Sequence, residues 1–514
     1  MNNMPARPYA GASPQGGAPT LAVRRLGIDT LREPVVYMRP DCHVCRAEGF
    51  RAQSRVEVTV GARSVVATLN VVTSDILEQD EAGLSEVAWF LLDAHDDDVA
   101  AFAHPRPVES MSHVRAKIYG SRLGREAFAS IIGDVVQKRY SDIQLAAFVT
   151  ACAGNRLDLN ETTALTNAMI DVGARIRWDA PQIVDKHCVG GLPGNRTTLL
   201  VVPIVAAFGL IIPKTSSRAI TSPSGTADAM ETLAPVDLDL PALRRVVARE
   251  GGCIAWGGAV SLSPADDILI GVERPLDLDS EGQLVASVLS KKAAAGATDV
   301  VIDIPVGPTA KVRNEAAAHA LAQRLAEVGT AVGLHVRNVV TDGSQPVGRG
   351  IGPALEARDV LSVLKGESDA PADLRDRALH MAGEVISLSR EVALGKARAL
   401  AEALLADGSA WRKFQAICEA QGGMRKPPIA RHTHPVAASR AGRIIAFDNR
   451  RLARAAKLAG APGEPAAGMV VHVKTGTYVE AGQPLFTLHA MAPGELGYAL
   501  DYVASQPDIV EIGE

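Results

Sequence analysis

The chain has 514 residues, of which 47% are hydrophobic and 4% aromatic, so it can bury several cores and those cores must be mostly aliphatic. At roughly 100–200 residues per domain, about three domains are expected. The formal net charge of −5 gives no general reason to bind a nucleic-acid polymer, which rewards clustered Lys and Arg, although one local pocket can still hold a small anion.

Residues 1–20 are rich in Pro, Gly and Ala and lack the apolar core of a secretory signal; they read as a disordered tail. Residues 21–105 read as a β-rich domain. VEVTVGARSVVATLNVV (56–72) alternates like two strands around a glycine turn, and LSEVAWFLLDAH (84–95) reads as one amphipathic helix. Within this region CHVC (42–45) has the spacing of a metal or redox pair, but no second such pair follows to complete a structural zinc site, so two reduced thiols are expected. With Cys152, Cys188, Cys253 and Cys418 so widely spread, a disulfide scaffold is not indicated. AHPRPVES (103–110) reads as a linker.

From about 111 the texture is helical: 125–140, 141–154 and 160–176 each carry apolar residues at helical spacing, with Ser141 and Asn160 as expected N-caps. From about 182 strands and helices alternate. Strands are expected at 182–187, 210–215, 299–307 and 334–341, and helices at 197–209, 225–233 and 314–329. The most apolar run, 198–213, contains Pro203 and Gly209 and reads as a buried helix followed by a strand, not a membrane span. The segment from about 432 reads as short strands with glycine turns. Its His432 and His434 read as solvated, and its carrier-like hairpin has Ala492, not an attachment Lys, after Ala490-Met491.

Two stretches carry the chemistry. In DKHCVGGLPGNRTT (185–198) a strand ends in Lys186 and His187, passes through a glycine-rich turn and enters a helix. Glycines admit backbone N–H groups close to an anion, and a helix N-terminus supplies free donors. No GxxxxGK[ST] run is present here, which disfavours nucleoside-triphosphate hydrolysis. KTSSRAITSPSGTADAMETL (214–233) repeats the construction with hydroxyls and Arg218. Each stretch alone also fits a capped strand-to-helix turn. Together they suit phosphate or sugar oxygens at the carboxyl ends of adjacent strands.

Over roughly 110–505 the chain resembles the thymidine/pyrimidine-nucleoside phosphorylase family, through Ser-x-Arg-x6-Gly-Thr-x-Asp-x-x-Glu at 216–231 and the Lys186 loop. The form KTSSRAITS…GTADAMETLAPVDL is most similar to long-form members, the AMP phosphorylases and bacterial proteins described as thymidine phosphorylases. The resemblance implies an α/β fold built from an N-terminal β-rich domain (21–105), a phosphorylase core (111–430) and a C-terminal α/β-hammerhead, barrel-sandwich-like domain (431–514). Within the core a helical subdomain (about 111–177 and 262–296) would face an α/β subdomain (about 178–261 and 297–430) across a cleft. It further implies a cytoplasmic homodimer acting on a nucleoside or nucleotide with inorganic phosphate as substrate. No metal or organic cofactor, nucleic-acid polymer or membrane would be involved.

Carried over position by position, Lys186, Thr198, Ser216 and Thr226 match phosphate-holding residues. Gly191, Ser217, Arg218, Ala219, Ile220, Thr221 and Ser222, and Thr226 again, match nucleotide contacts. Ser287, Lys291, Lys311 and His187 fall on the base side, and Asp279 matches a proton donor to the leaving base, with Lys186 the other catalytic candidate. Two positions depart from the short form: Cys188 replaces a phosphate-contacting Ser and is a poorer donor, and Val272 stands where an Arg reads the pyrimidine, with Arg274 nearby. Whether the substrate carries a 5′-phosphate stays open. An anthranilate-type phosphoribosyltransferase, which would need acidic metal-binding residues such as Asp266 and Asp267, and a non-catalytic nucleotide-binding protein are the alternatives.

Overall fold

The structure is a computed structural model that describes residues 19–219, 222–276, 278, 280–389, 392–393 and 395–513. Most of the expected N-terminal tail, together with Ile220, Thr221 and Asp279, lies outside the described residues. The chain forms two compact units: one ends at Glu109 and takes in Gln137–Ser141, and the other comprises Ser110–Val136 and the chain from Asp142 onward.

The first unit is a closed barrel of six strands, Thr20–Arg25, Val35–Met38, Arg55–Val60, Arg63–Val71, Glu81–Leu84 and Val99–Ala103. Alternation decides what faces inward: Val56, Val58 and Val60 are buried while Arg55, Glu57 and Thr59 are not. The helix expected over 84–95 is shorter, Glu86–Leu92. Leu84 pairs within the sheet, and the Ser85 hydroxyl accepts the Ala88 N–H at 3.4 Å to start the helix after it. Cys42 and Cys45 are both free and buried, on the short helix His43–Glu48 and at its N-cap.

The second unit begins with helices Met111–Ile118, Arg125–Val136, Asp142–Cys152 and Leu159–Asp171, joined later in the chain by Pro264–Leu276 and Glu281–Ala294. The last of the four is capped by Asp158, not by Asn160 as expected. Asp158 Oδ1 accepts the Glu161 N–H at 2.7 Å while Glu161 Oε2 accepts that of Asp158 at 3.2 Å, a reciprocal arrangement that Asn160, inside the first turn, has no geometry to make. Glu161 also accepts from the buried Lys117 Nζ at 2.6 Å.

Five parallel strands build the α/β part. His335–Asp342, Asp299–Val306 and Val184–Cys188 lie side by side, Ile212–Ser216 pairs with Gly252–Trp256, and a single bridge from Ile183 to Ile211 joins the two groups. Helix Thr198–Phe208 follows the strand carrying Lys186, and its residues from Thr198 to Ala206 are all buried. It is the centre of the largest aliphatic core, packed by Val385, Phe414 and Ile417 from later helices. All five strands run the same way, so their carboxyl ends, among them Lys186 to Cys188 and Thr215 to Ser216, share one edge, and Asp303 lies beside Cys188 within the neighbouring strand.

The C-terminal segment forms two small sheets, with helices Asn449–Leu458 and Pro493–Ala504 that the strand-and-turn reading of this region did not anticipate. One sheet takes Gly350–Ile351 as an edge strand against Met469–Val470. Lys474 Nζ donates to the carbonyls of Pro346 and Gly348 at 2.7 and 2.8 Å, and Asn449 Nδ2 to that of Gly343 at 2.9 Å. No helix among the described residues is long and apolar enough to cross a membrane.

Candidate active site

Lys186 has no exposed surface. Its Nζ donates to Thr197 Oγ1 at 2.8 Å and lies 3.8 Å from Asp303 Oδ2. The Lys186 partner is thus Thr197; Thr198, the matched position, is buried in the first turn of the following helix. Asp303 is held in turn by Thr341 Oγ1 at 2.5 Å and Asn195 Nδ2 at 3.4 Å, and the same amide donates to Cys188 Sγ at 3.3 Å. Burial pushes the Cys188 thiol up to about 11, so it is a neutral thiol at pH 7 and a weak donor.

One residue before Lys186, the buried Asp185 pairs with two further lysines. Lys214 Nζ is 3.1 Å from Oδ1 and Lys292 Nζ 2.7 Å from Oδ2. Burial works to raise the Asp185 carboxyl, and the Lys214 and Lys292 ammoniums overcome it and hold it below its ordinary value. Burial pulls Lys292 down to about 7 against the attraction of Asp185. Lys292 also reaches the Thr215 carbonyl at 3.4 Å, so helix Glu281–Ala294 is tied to two strand ends. Its neighbour Lys291 pairs with Asp266 at 2.8 Å, and Ser287 sits half-buried one turn earlier. The half-buried His187 feels this whole set. Burial, then Lys292, Lys214, Lys291 and Lys186, drives its imidazole well below the ordinary histidine value, so it is neutral at pH 7.

The glycine turn closes this edge. Gly191 has φ +79°, and a Cβ there would lie 2.3 Å from the backbone N of Lys311, so the structure brings these two expected residues together and only glycine fits. Asn195 takes φ +50°, and its N–H donates to the Val347 carbonyl at 3.1 Å.

In the second loop Ser216 ends its strand half-buried, opposite Trp256, and Ser217 and Ser222 are exposed. Asp228 Oδ2 accepts the N–H groups of Ala219 at 2.7 Å and Gly225 at 2.8 Å, which pins the loop at both ends. Arg218 is engaged by protein groups: Glu231 takes both guanidinium nitrogens, and its Cζ lies 4.9 Å from the centre of the Trp256 ring. Thr226 Oγ1 accepts from Arg196 Nη1 at 3.1 Å.

Asp185, Lys214, Lys292, Asp303, Arg196 and Glu356 were not among the residues singled out from the sequence. Asp185 and Lys214 border the two motifs, and a charge repeated at the end of each strand was the available signal. Lys292 and Glu356 lie far along the chain with no local mark. Among the described residues no group of three His, Cys, Asp or Glu side chains is placed to hold a metal ion, and Asp266 is committed to Lys291.

A helical bundle joined to a parallel sheet is the two-part build of a glycosyl transferase family whose models match this chain. Residues 112–173 match the helical bundle domain of a glycosyl transferase family, 180–411 the α/β domain of that family, and 444–509 the pyrimidine nucleoside phosphorylase C-terminal domain. The chain is 64% identical over 96% of its length, and 97% of the relative's, to a Polaromonas protein named "Putative thymidine phosphorylase". It is 59% identical, over 96% of each chain, to one of the same name from Legionella pneumophila strain Corby. A crystal structure of anthranilate phosphoribosyltransferase from Thermus thermophilus covers 60% of this chain and 98% of its own at 19% identity and a TM-score of 0.50, a likeness of fold. The chain belongs to the pyrimidine nucleoside phosphorylase family and is a pentosyltransferase of the thymidine-phosphorylase-like kind.

Proposed function

We propose that this chain uses inorganic phosphate to cleave the N-glycosidic bond of a nucleoside, releasing the free base and a pentose 1-phosphate. The observation that carries this reading is a cluster of lysines from two strands and an adjoining helix: Lys186, Lys214, Lys291 and Lys292 all bear on one imidazole, His187. Their carboxylate partners are Asp303, Asp185 and Asp266, and Lys292, brought down to about 7, takes up a proton as an anion enters, so the cluster can supply positive charge beside a glycine-rich turn, which suits a phosphate dianion.

Phosphate held there attacks the anomeric carbon as the carbon–nitrogen bond breaks. The departing base takes the bonding pair and needs a proton or a strong hydrogen bond. Asp279 is the proposed donor on family resemblance, and the neutral His187 imidazole can donate to or accept from the base. Ser287 and Lys291, four apart on one helix, would read the base edge. Closure of the helical part on the α/β part would exclude water and favour phosphorolysis over hydrolysis. The names of the relatives support a pyrimidine nucleoside such as thymidine. A nucleoside 5′-monophosphate, cleaved to ribose 1,5-bisphosphate, is the second reading, favoured by the exposed Ser217; the engagement of Arg218 by Glu231 and of the Ser222 hydroxyl by the Ser224 carbonyl weighs against it. The same reading takes the protein as a cytoplasmic homodimer that needs no cofactor and ends in a hammerhead domain.

The test is release of free base from thymidine, uridine, AMP, CMP and UMP, with and without phosphate. Phosphate-dependent release from thymidine or uridine supports the first reading, and release from monophosphates alone supports the second. No phosphate-dependent release from any of them overturns phosphorolysis.

A further inference from the structure

Arg196 lies in the first loop, yet it is the side chain that joins the two. Its guanidinium donates to the carbonyl of Gly194 in its own loop at 3.2 Å, to the carbonyl of Ser224 in the second at 3.2 Å and to Thr226 Oγ1 at 3.1 Å. Its Nε lies 2.6 Å from Oε2 of Glu356, on helix Pro353–Lys365, and both side chains are largely withdrawn from solvent, at 12% and 2% exposure. Glu356 is itself fixed, accepting the Gly352 N–H on Oε1 at 3.3 Å. A planar fork with donors in several directions can make this set of contacts, and an ammonium cannot.

The bond to Thr226 has a directional consequence. A threonine hydroxyl has one hydrogen and two acceptor lone pairs. With Arg196 donating to the oxygen, the hydroxyl hydrogen must point away from the guanidinium, so the hydroxyl is held as a donor. At a site for an oxyanion, that is the useful polarity.

We propose that Arg196 is a positioning residue for phosphate: it aims the Thr226 hydroxyl hydrogen at the anion and keeps the two loops in register, with Glu356 as its anchor. The inference rests on the phosphorolysis reading for its ligand. The experiment therefore measures both turnover and binding of inorganic phosphate, by initial rates and by calorimetry, on wild type, Arg196→Gln, Arg196→Lys, Thr226→Val and the double variant Arg196→Gln/Thr226→Val. Arg196→Lys keeps a cation beside Glu356 and so guards against loss of folding.

Arg196→Gln and Thr226→Val should each raise the phosphate KM and Kd by about 10-fold, the scale of one directed charge-assisted contact, while the nucleoside KM stays within about twofold. The double variant should be no worse than the poorer single one, because both remove the same contact. Arg196→Lys should resemble Arg196→Gln in phosphate affinity while melting near wild type. Additive losses, an equal rise in both KM values, or wild-type phosphate binding in Arg196→Lys overturns the proposal. If wild type binds phosphate through this pair but releases no base, phosphorolysis falls and the positioning role stands. If wild type binds no phosphate, both fall.

Discussion

Replacing Lys186 by Met keeps the length of the side chain and removes its charge. Two losses follow. The first is structural: at 3.8 Å from Asp303 in a site without solvent, the attraction is about 4 kcal/mol at an effective dielectric constant of about 20. Asp303 keeps its bonds from Thr341 and Asn195, so a stability loss of about 3 kcal/mol is expected, at the low end for breaking a buried pair. The second is functional: one charge-assisted hydrogen bond to phosphate disappears, about 1.5–3 kcal/mol, or roughly 10- to 150-fold in kcat/KM for phosphate. The assay is base release as phosphate is varied at saturating nucleoside, beside a urea unfolding curve for each protein. A destabilised Lys186→Met with wild-type phosphate kinetics would refute the reasoning, because it would make Lys186 a purely structural partner of Asp303.

Lys292 is charged in the unfolded chain up to about 10.5 but held at about 7 when folded, so the unfolded state binds more protons between those limits and stability should rise with pH across them. In Lys292→Met that rise should vanish from urea unfolding curves taken between pH 7 and 9.5; parallel pH dependences would exclude the shift. Gly191→Ala places a Cβ against the Lys311 backbone at φ +79°, so kcat/KM should fall at least about 10-fold with a clear drop in Tm, and unchanged values for both would show that the turn yields. Cys188→Ser supplies a stronger donor beside Lys186, and a phosphate KM lowered about 2- to 10-fold is expected; an unchanged KM would place residue 188 outside the phosphate contact.

Much of this site was readable because its parts are local. Each of the two loops is a strand, a turn and a helix within about 20 residues, and glycines with β-branched neighbours mark those changes directly. The contacts that give the loops their charge are not local. Lys292 meets Asp185 from 107 positions along the chain, and Glu356 meets Arg196 from 160, so no periodicity links either pair. Helix Asn449–Leu458 was legible but passed over: Leu452, Ala455 and Ala456 form its buried stripe, and the adjoining strand GRIIAF drew the reading towards β-structure. Asn160 was read as the cap of its helix, but Asp158, two positions earlier, is the residue that reaches and is reached by Glu161.

The strand Gly350–Ile351 gives the C-terminal segment a role beyond packing. Lys474 clasps the carbonyls on either side of Val347, and Val347 is the residue whose own carbonyl receives the Asn195 N–H. The tail thus acts as a buttress two bonds behind the Lys186 loop. A protein cut at residue 431 would lose a sheet whose edge it still carries and would leave that loop without its backing. Whatever sequence drift the C-terminal segment tolerates, the grip on residues 346–348 is the part that ties it to the loop some 280 residues earlier in the chain.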